Sequence, residues 1–133
     1  MDKLESLKVS VTLPTTPQRI YEAWLNSKEH SAFTGGRARG SGKVGGALSA
    51  WDGYIRGKNL TLEPYRRIVQ SWRSSEFPED SEDSRLEVVL EEAEKGTRLT
   101  LIHTNIPDGQ GEMYKEGWRD NYFQPMKRYF KTS

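Results

Sequence analysis

Residues Glu112 to Phe130 read EMYKEGWRDNYFQPMKRYF, and this stretch decides the fold. Wound as a helix at roughly 100° per residue, it places Tyr114, Trp118, Tyr122, Pro125, Met126, Tyr129 and Phe130 on one side, with Phe123 at the margin. Glu116, Asp120, Gln124, Lys127, Arg128 and Lys131 fall on the other. A helix that presents aromatics over about half its circumference needs an apolar surface wider than a neighbouring helix offers. A sheet supplies one. Pro125 inside the helix frees the carbonyl near Asn121 and bends the axis, which fits the helix to a curved surface.

The preceding residues, Gly36 to Ile106, carry no helical period and are punctuated by glycines, prolines and Asp52-Gly53, the pattern of an antiparallel meander. Strands are expected near Arg37–Ser41, Ala47–Trp51, Tyr54–Leu62, Arg66–Arg73, Arg85–Glu92 and Thr97–Asn105, with Asp52-Gly53 and Lys95-Gly96 as tight turns. On the last two strands Leu86, Val88, Leu90, Leu99, Leu101 and His103 share the inner face, while Glu87, Glu91, Arg98 and Thr100 face water. Leu7, Val9, Val11 and Leu13 alternate with polar residues and make a first strand. Thr16 then caps a helix opened by Pro17, with Ile20, Ala23 and Trp24 as its buried stripe. Asn26-Ser27 breaks it and caps a second short helix through Phe33, ended by Gly35-Gly36. The fold class is therefore α+β: a curved antiparallel sheet of six to seven strands wrapped round a long C-terminal helix, with two short helices closing one end of the groove.

Composition narrows the function. The chain has 133 residues and a formal net charge of +1, which fits one core and argues against a dedicated nucleic-acid binder. The absence of cysteine excludes disulfides, thiol nucleophiles and Cys-ligated zinc. The N-terminal MDKLESLKVSV reads as neither signal peptide nor membrane span, so a soluble cytoplasmic protein is expected. The sequence contains no GxSxG, P-loop or HExxH, and the spacing of Gly40, Gly42 and Gly45 lacks the strand-then-helix context of a dinucleotide site. Charge is segregated: Arg37 to Arg73 is mainly basic and Glu76 to Glu94 mainly acidic. This is either a solvated surface balanced between neighbouring strands or a dipole for docking a partner.

The run GGALSAWDGYIRGKNLTLEPYRRIVQSWR (Gly45 to Arg73), then IPDG (Ile106 to Gly109), then GWRDNYFQPMKRYF (Gly117 to Phe130) resembles the family of homologues of the activator of the 90-kDa heat-shock chaperone's ATPase. The resemblance covers nearly the whole chain. It implies the helix-grip fold of the START-like (SRPBCC) superfamily, shared with plant allergens of the Bet v type. In the eukaryotic co-chaperone of this family the domain is the C-terminal half, behind a separate domain that makes the main chaperone contact. The present chain reads as a stand-alone copy, a single domain over residues 1–133.

A helix-grip fold commonly leaves a cavity between helix and sheet. The residues expected to line it are Trp24, Phe33, Leu48, Trp51, Trp72, Leu101, His103, Trp118, Tyr122 and Met126, with Tyr114, Pro125 and Phe130 anchoring the helix. The alternative for each tryptophan is plain core packing. His103 lies on an inward strand position, where an imidazole serves as ligand contact, acid–base group or satisfied core residue. Two histidines without carboxylates at ligand spacing make no metal site, and no cofactor is expected. Arg119 either snorkels outward or pairs with an anion at the pocket edge.

Three functions follow from these features. The first is a non-enzymatic module that binds a small hydrophobic or amphipathic molecule. The second is a co-chaperone-like partner of a heat-shock chaperone, and the third a cyclase or dehydratase using His103 or Tyr122 as acid–base. No nucleic-acid partner or membrane insertion is expected, and the chain is read as a monomer or weak homodimer.

Overall fold

The computed structural model describes residues 3–131. The first strand, β1 (Glu5–Leu13), leads into α1 (Pro17–Leu25) and α2 (Ser27–Thr34). Four strands and a fifth follow: β2 (Ala47–Ala50), β3 (Ile55–Glu63), β4 (Arg67–Ser74), β5 (Ser84–Ala93) and β6 (Gly96–Ile106). The terminal helix comprises α3 (Gly111–Gly117), a wider π turn (Trp118–Phe123) and α4 (Gln124–Lys131).

All strand pairs are antiparallel, in the order β1-β6-β5-β4-β3-β2. Thus β1 and β2 occupy opposite edges, and the helical elbow carries the chain from one to the other. Both helices begin as their capping residues dictate. Thr16 Oγ1 accepts the Arg19 N–H at 3.2 Å with Pro17 in the first turn, and Asn26 Oδ1 accepts the Glu29 N–H at 2.9 Å. Gly35 closes α2 at φ 86°, a left-handed conformation that glycine adopts at little cost.

Register builds the core. Val9, Leu101, Val88 and Ile68 lie side by side across β1, β6, β5 and β4, and Val11, Leu99 and Leu90 form the next row. The terminal helix lies on these rows with Tyr114, Trp118, Tyr122, Met126 and Phe130 all buried. That spacing of four has a geometric cost: at 3.6 residues per turn it drifts by about 160° between Tyr114 and Phe130. The π turn absorbs part of the drift, with the Gln124 N–H reaching back to the Arg119 carbonyl instead of to Asp120. Pro125 follows directly, so the proline expected to bend the helix is accommodated by this looser turn.

Three expectations need correction. Arg37–Ser41 contributes only the isolated bridge Arg39–Ser49, leaving six strands. Its backbone bonds instead to serine side chains of α2: the Ala38 N–H to Ser31 Oγ at 2.8 Å and the Gly40 N–H to Ser27 Oγ at 2.9 Å. Asp52-Gly53 is no simple hairpin turn, because Trp51, Asp52 and Gly53 form a 3-10 turn with φ of 53°, 58° and 90°. The β5–β6 turn consists of Glu94-Lys95, with Gly96 already paired to Ala93. At Gly96, φ is 144° and a Cβ would sit 2.0 Å from the Leu13 carbonyl oxygen, so a side chain is excluded.

The loop Ile106 to Gly111 is fixed to the first strand. The Glu5 carboxylate accepts the N–H groups of Gly109 at 2.9 Å and Gly111 at 2.7 Å, and these amides hold its pKa below the usual carboxylate range. The clamp sets where the terminal helix begins.

Candidate binding site

Under the first half of the terminal helix, the sheet and helix flank a pocket of about 160 Å³ that opens to solvent. Trp51 comes to it from the 3-10 turn, Ile55 and Trp72 from β3 and β4, and Tyr114, Gly117, Trp118, Asn121 and Tyr122 from the helix. Tyr54 and Met113, both exposed, stand at its mouth. The rings form a continuous wall: Trp72–Trp118 centroids are 5.4 Å apart, Trp118–Tyr122 4.9 Å and Trp51–Tyr122 6.2 Å.

Two imidazoles behind this wall fix its orientation. The Trp118 indole N–H donates to His103 Nδ1 at 3.2 Å, which leaves the proton of the neutral ring on Nε2. His103 Nε2 then donates to Ser84 Oγ at 2.7 Å, and Ser84 donates to the Trp72 carbonyl at 2.5 Å. At the other end, His30 Nδ1 donates to the Trp24 carbonyl at 2.9 Å and Nε2 accepts the Tyr122 hydroxyl at 2.8 Å. Burial lowers the pKa of His103 to about 3 and that of His30 to about 4, so both rings are neutral. Burial likewise pushes the Tyr122 phenol up. The histidines thus hold two aromatic side chains of the helix at fixed positions on the cavity wall.

A third chain of hydrogen bonds lies further in. Trp24 Nε1 donates to Gln70 Oε1 at 3.1 Å, Gln70 Nε2 to Asn59 Oδ1 at 2.9 Å, and Asn59 Nδ2 to the carbonyls of Ser41 and Lys43 at 2.8 and 3.0 Å. It ties the glycine-rich loop before β2 to the core. Of the cavity-wall residues, Tyr114 alone has a buried hydroxyl without a hydrogen-bond partner among the described residues. Burial pushes its phenol up to about 12, despite the proximity of Ser74.

The ten residues named from the sequence divide. Trp51, Trp72, Trp118 and Tyr122 border the cavity. Trp24, Phe33, Leu101, His103 and Met126 do not, because each is buried in the core against other side chains. Leu48, on β2, sits beside a separate groove on the outer edge of the sheet. Met126 falls outside because the π turn ends the wall at Tyr122, whereas Tyr114, taken as an anchor, forms part of it. Arg119 points to solvent and pairs with Asp120 at 3.1 Å. Sequence reasoning missed His30 as a partner of Tyr122, since they are 92 positions apart.

The acid–base pair expected of a cyclase is not assembled at the cavity. His103 is spent on Trp118 and Ser84, and the Tyr122 hydroxyl on His30. Among the described residues no cluster of three or more His, Cys, Asp or Glu is placed to hold a metal ion, and no helix is long and apolar enough to cross a membrane.

Residues 14–131 match the family described as Activator of Hsp90 ATPase homolog 1-like protein. The chain is 28% identical to the Activator of 90 kDa heat shock protein ATPase homolog of Dictyostelium discoideum, over 97% of this chain and 34% of that protein. It therefore spans about a third of the length of the curated relatives it matches. The crystal structure of an HSP90 activator from Plasmodium falciparum superposes with a TM-score of 0.85 at 25% identity, covering 93% of this chain and 94% of that one. Ara h 8.0201 shares the fold, with a TM-score of 0.75 at 14% identity over 98% of this chain and 100% of its own.

Proposed function

The chain belongs to the Activator of Hsp90 ATPase homolog 1-like family and has its helix-grip fold, and on that premise we propose that it binds a small, flat, amphipathic molecule between β3–β4 and the terminal helix. The observation that carries this reading is the cavity itself. At about 160 Å³ it matches an engineered apolar cavity of ~150 Å³ that binds benzene. It is smaller than the ~300–1,000 Å³ typical of drug-sized ligands. The pocket therefore takes a group of single-ring size, with its mouth open to solvent. Aromatic walls supply dispersion and stacking.

Gly117 provides the test. It lines the cavity at helical φ −62° and ψ −42°, and a Cβ there meets nothing closer than Asn121 Nδ2 at 3.8 Å. Gly117→Leu should fill the space while raising helix propensity by up to about 1 kcal/mol. The native protein, incubated with a panel of phenols, indoles and aryl carboxylates, should retain mass by native mass spectrometry, and Gly117→Leu should not. No retained mass from the panel, or equal retention by both proteins, would falsify the reading.

A second reading is a chaperone partner, favoured by the likeness to the Plasmodium falciparum HSP90 activator across nearly the full length of both chains. Added to a 90-kDa heat-shock chaperone at low salt, the domain should change its ATPase rate. An unchanged rate together with no binding removes this reading.

A further inference from the structure

On the convex face, the sheet edge carries a row of arginines, with Asp52 as the one acid in the lining of the groove beside them. Arg39 bridges Ser49, Ser49 pairs with Arg56, and Arg56 pairs with Arg73, so all four stand in one register across neighbouring strands and project to the same side. Like charges placed directly opposite on a sheet are unfavourable. Arg73 is compensated locally: it donates to the carbonyls of Ser81 at 2.7 Å and Pro78 at 3.0 Å and pairs with Asp83 at 3.2 Å. Arg56, Arg39 and the neighbouring Arg37 form no ion pair among the described residues. All three are exposed and line one open groove of about 560 Å³, floored by Ala47, Ser49 and Gly57.

We propose that this groove docks an acidic peptide segment of a partner protein, with Arg37, Arg39 and Arg56 as its carboxylate receptors. Three features favour a peptide over other anions. With neighbouring strands about 4.8 Å apart, the Cα atoms of Arg39 and Arg56, two strands apart, lie roughly 10 Å from each other. A ligand bearing several acids serves that spread better than a single phosphate. Carboxylates spaced along a peptide match guanidinium forks bidentately. A long nucleic-acid backbone is disfavoured because the chain's net charge is only +1, short of the strongly basic surface such a ligand needs. The inference is independent of any cavity ligand. It shares with the chaperone reading only the expectation of a protein partner.

The test is fluorescence anisotropy with a labelled octaglutamate peptide at 50 mM salt. The combined variant Arg37→Ser/Arg39→Ser/Arg56→Ser should weaken binding at least tenfold. Lys95→Ser/Arg98→Ser/Lys127→Ser, with the same change in charge on other surfaces, should weaken it less than twofold. Circular dichroism establishes that both variants are folded, and binding by the native chain should weaken steeply toward 300 mM salt. Equal losses in the two variants, no binding by the native protein, or equally tight binding of a single-stranded oligonucleotide of the same charge overturns the proposal. Peptide binding, with neither chaperone binding nor any effect on its ATPase, would remove the chaperone reading and leave this one standing.

Discussion

The two faces of the β2–β3–β4 corner are one backbone layer apart, yet they obey opposite rules. On the concave side Ile55 and Trp72 meet Trp118 and Tyr122, and most polar atoms have internal partners. On the convex side Arg56 stands opposite Arg73, with Arg39 close by and no ion pair to Arg39 or Arg56 among the described residues. The alternation of side chains along a strand permits this, because a residue and its neighbour answer to different solvents. The difference teaches where stability and recognition are separated. Substitutions on the concave side should change folding, and those on the convex side should change association.

The largest effect tests the concave side. Trp118→Ala removes contacts with Trp72 and Tyr122 and strands the His103 Nδ1 acceptor, so it should cost about 3–5 kcal/mol in urea denaturation. Acid comes next. An ordinary histidine titrates near pH 6.5, whereas burial holds His103 down to about 3 and His30 to about 4. Protons therefore bind the unfolded chain first. Stability is complete above about pH 6.5 and falls toward about pH 4, by up to about 1.4 kcal/mol per pH unit for each imidazole. His103→Gln keeps one acceptor and one donor but does not titrate, and should roughly halve that slope between pH 6.5 and 4.5. An unchanged slope would mean that His103 is not held neutral by the fold.

Tyr122→Phe is smaller still. It leaves His30 Nε2 without its donor and should cost about 1–3 kcal/mol with the ring wall intact. The smallest change is on the convex side: Arg56→Ser should shift stability by no more than about 0.5 kcal/mol, in the stabilising direction if its repulsion with Arg73 dominates. A loss above about 1 kcal/mol there would break the separation of the two faces.

Much of this architecture was legible in the sequence because it depends on periodicity and capping. The alternation of Leu7 to Leu13, the Thr16 and Asn26 caps and the aromatic face of the terminal helix all reappear as read. The recurrence of Tyr114, Trp118, Tyr122, Met126 and Phe130 at steps of four spreads the stripe over about 160° of a straight α-helix, and the π turn takes up part of that spread. Arg37–Ser41 misled because Ser27 and Ser31 compete for its backbone, and pattern analysis does not register side chains that bond to a remote main chain. The cavity wall was half legible. Tryptophan identity marks large apolar rings, but whether a ring faces a void or another ring depends on partners such as His30 and Tyr122, 92 positions apart.

The placing of β1 and β2 at opposite edges also sets an order of assembly. The pairs β3–β4 and β5–β6 join sequence neighbours and need only short loop closures. The first strand pairs with the last, Leu7 with His103 and Leu13 with Thr97. During synthesis β1 is thus the first strand to leave the ribosome and the last to find its place, with its ladder unfilled until β6 has been made. Its alternating polar face, Lys8, Ser10 and Thr12, keeps half of that waiting strand compatible with water.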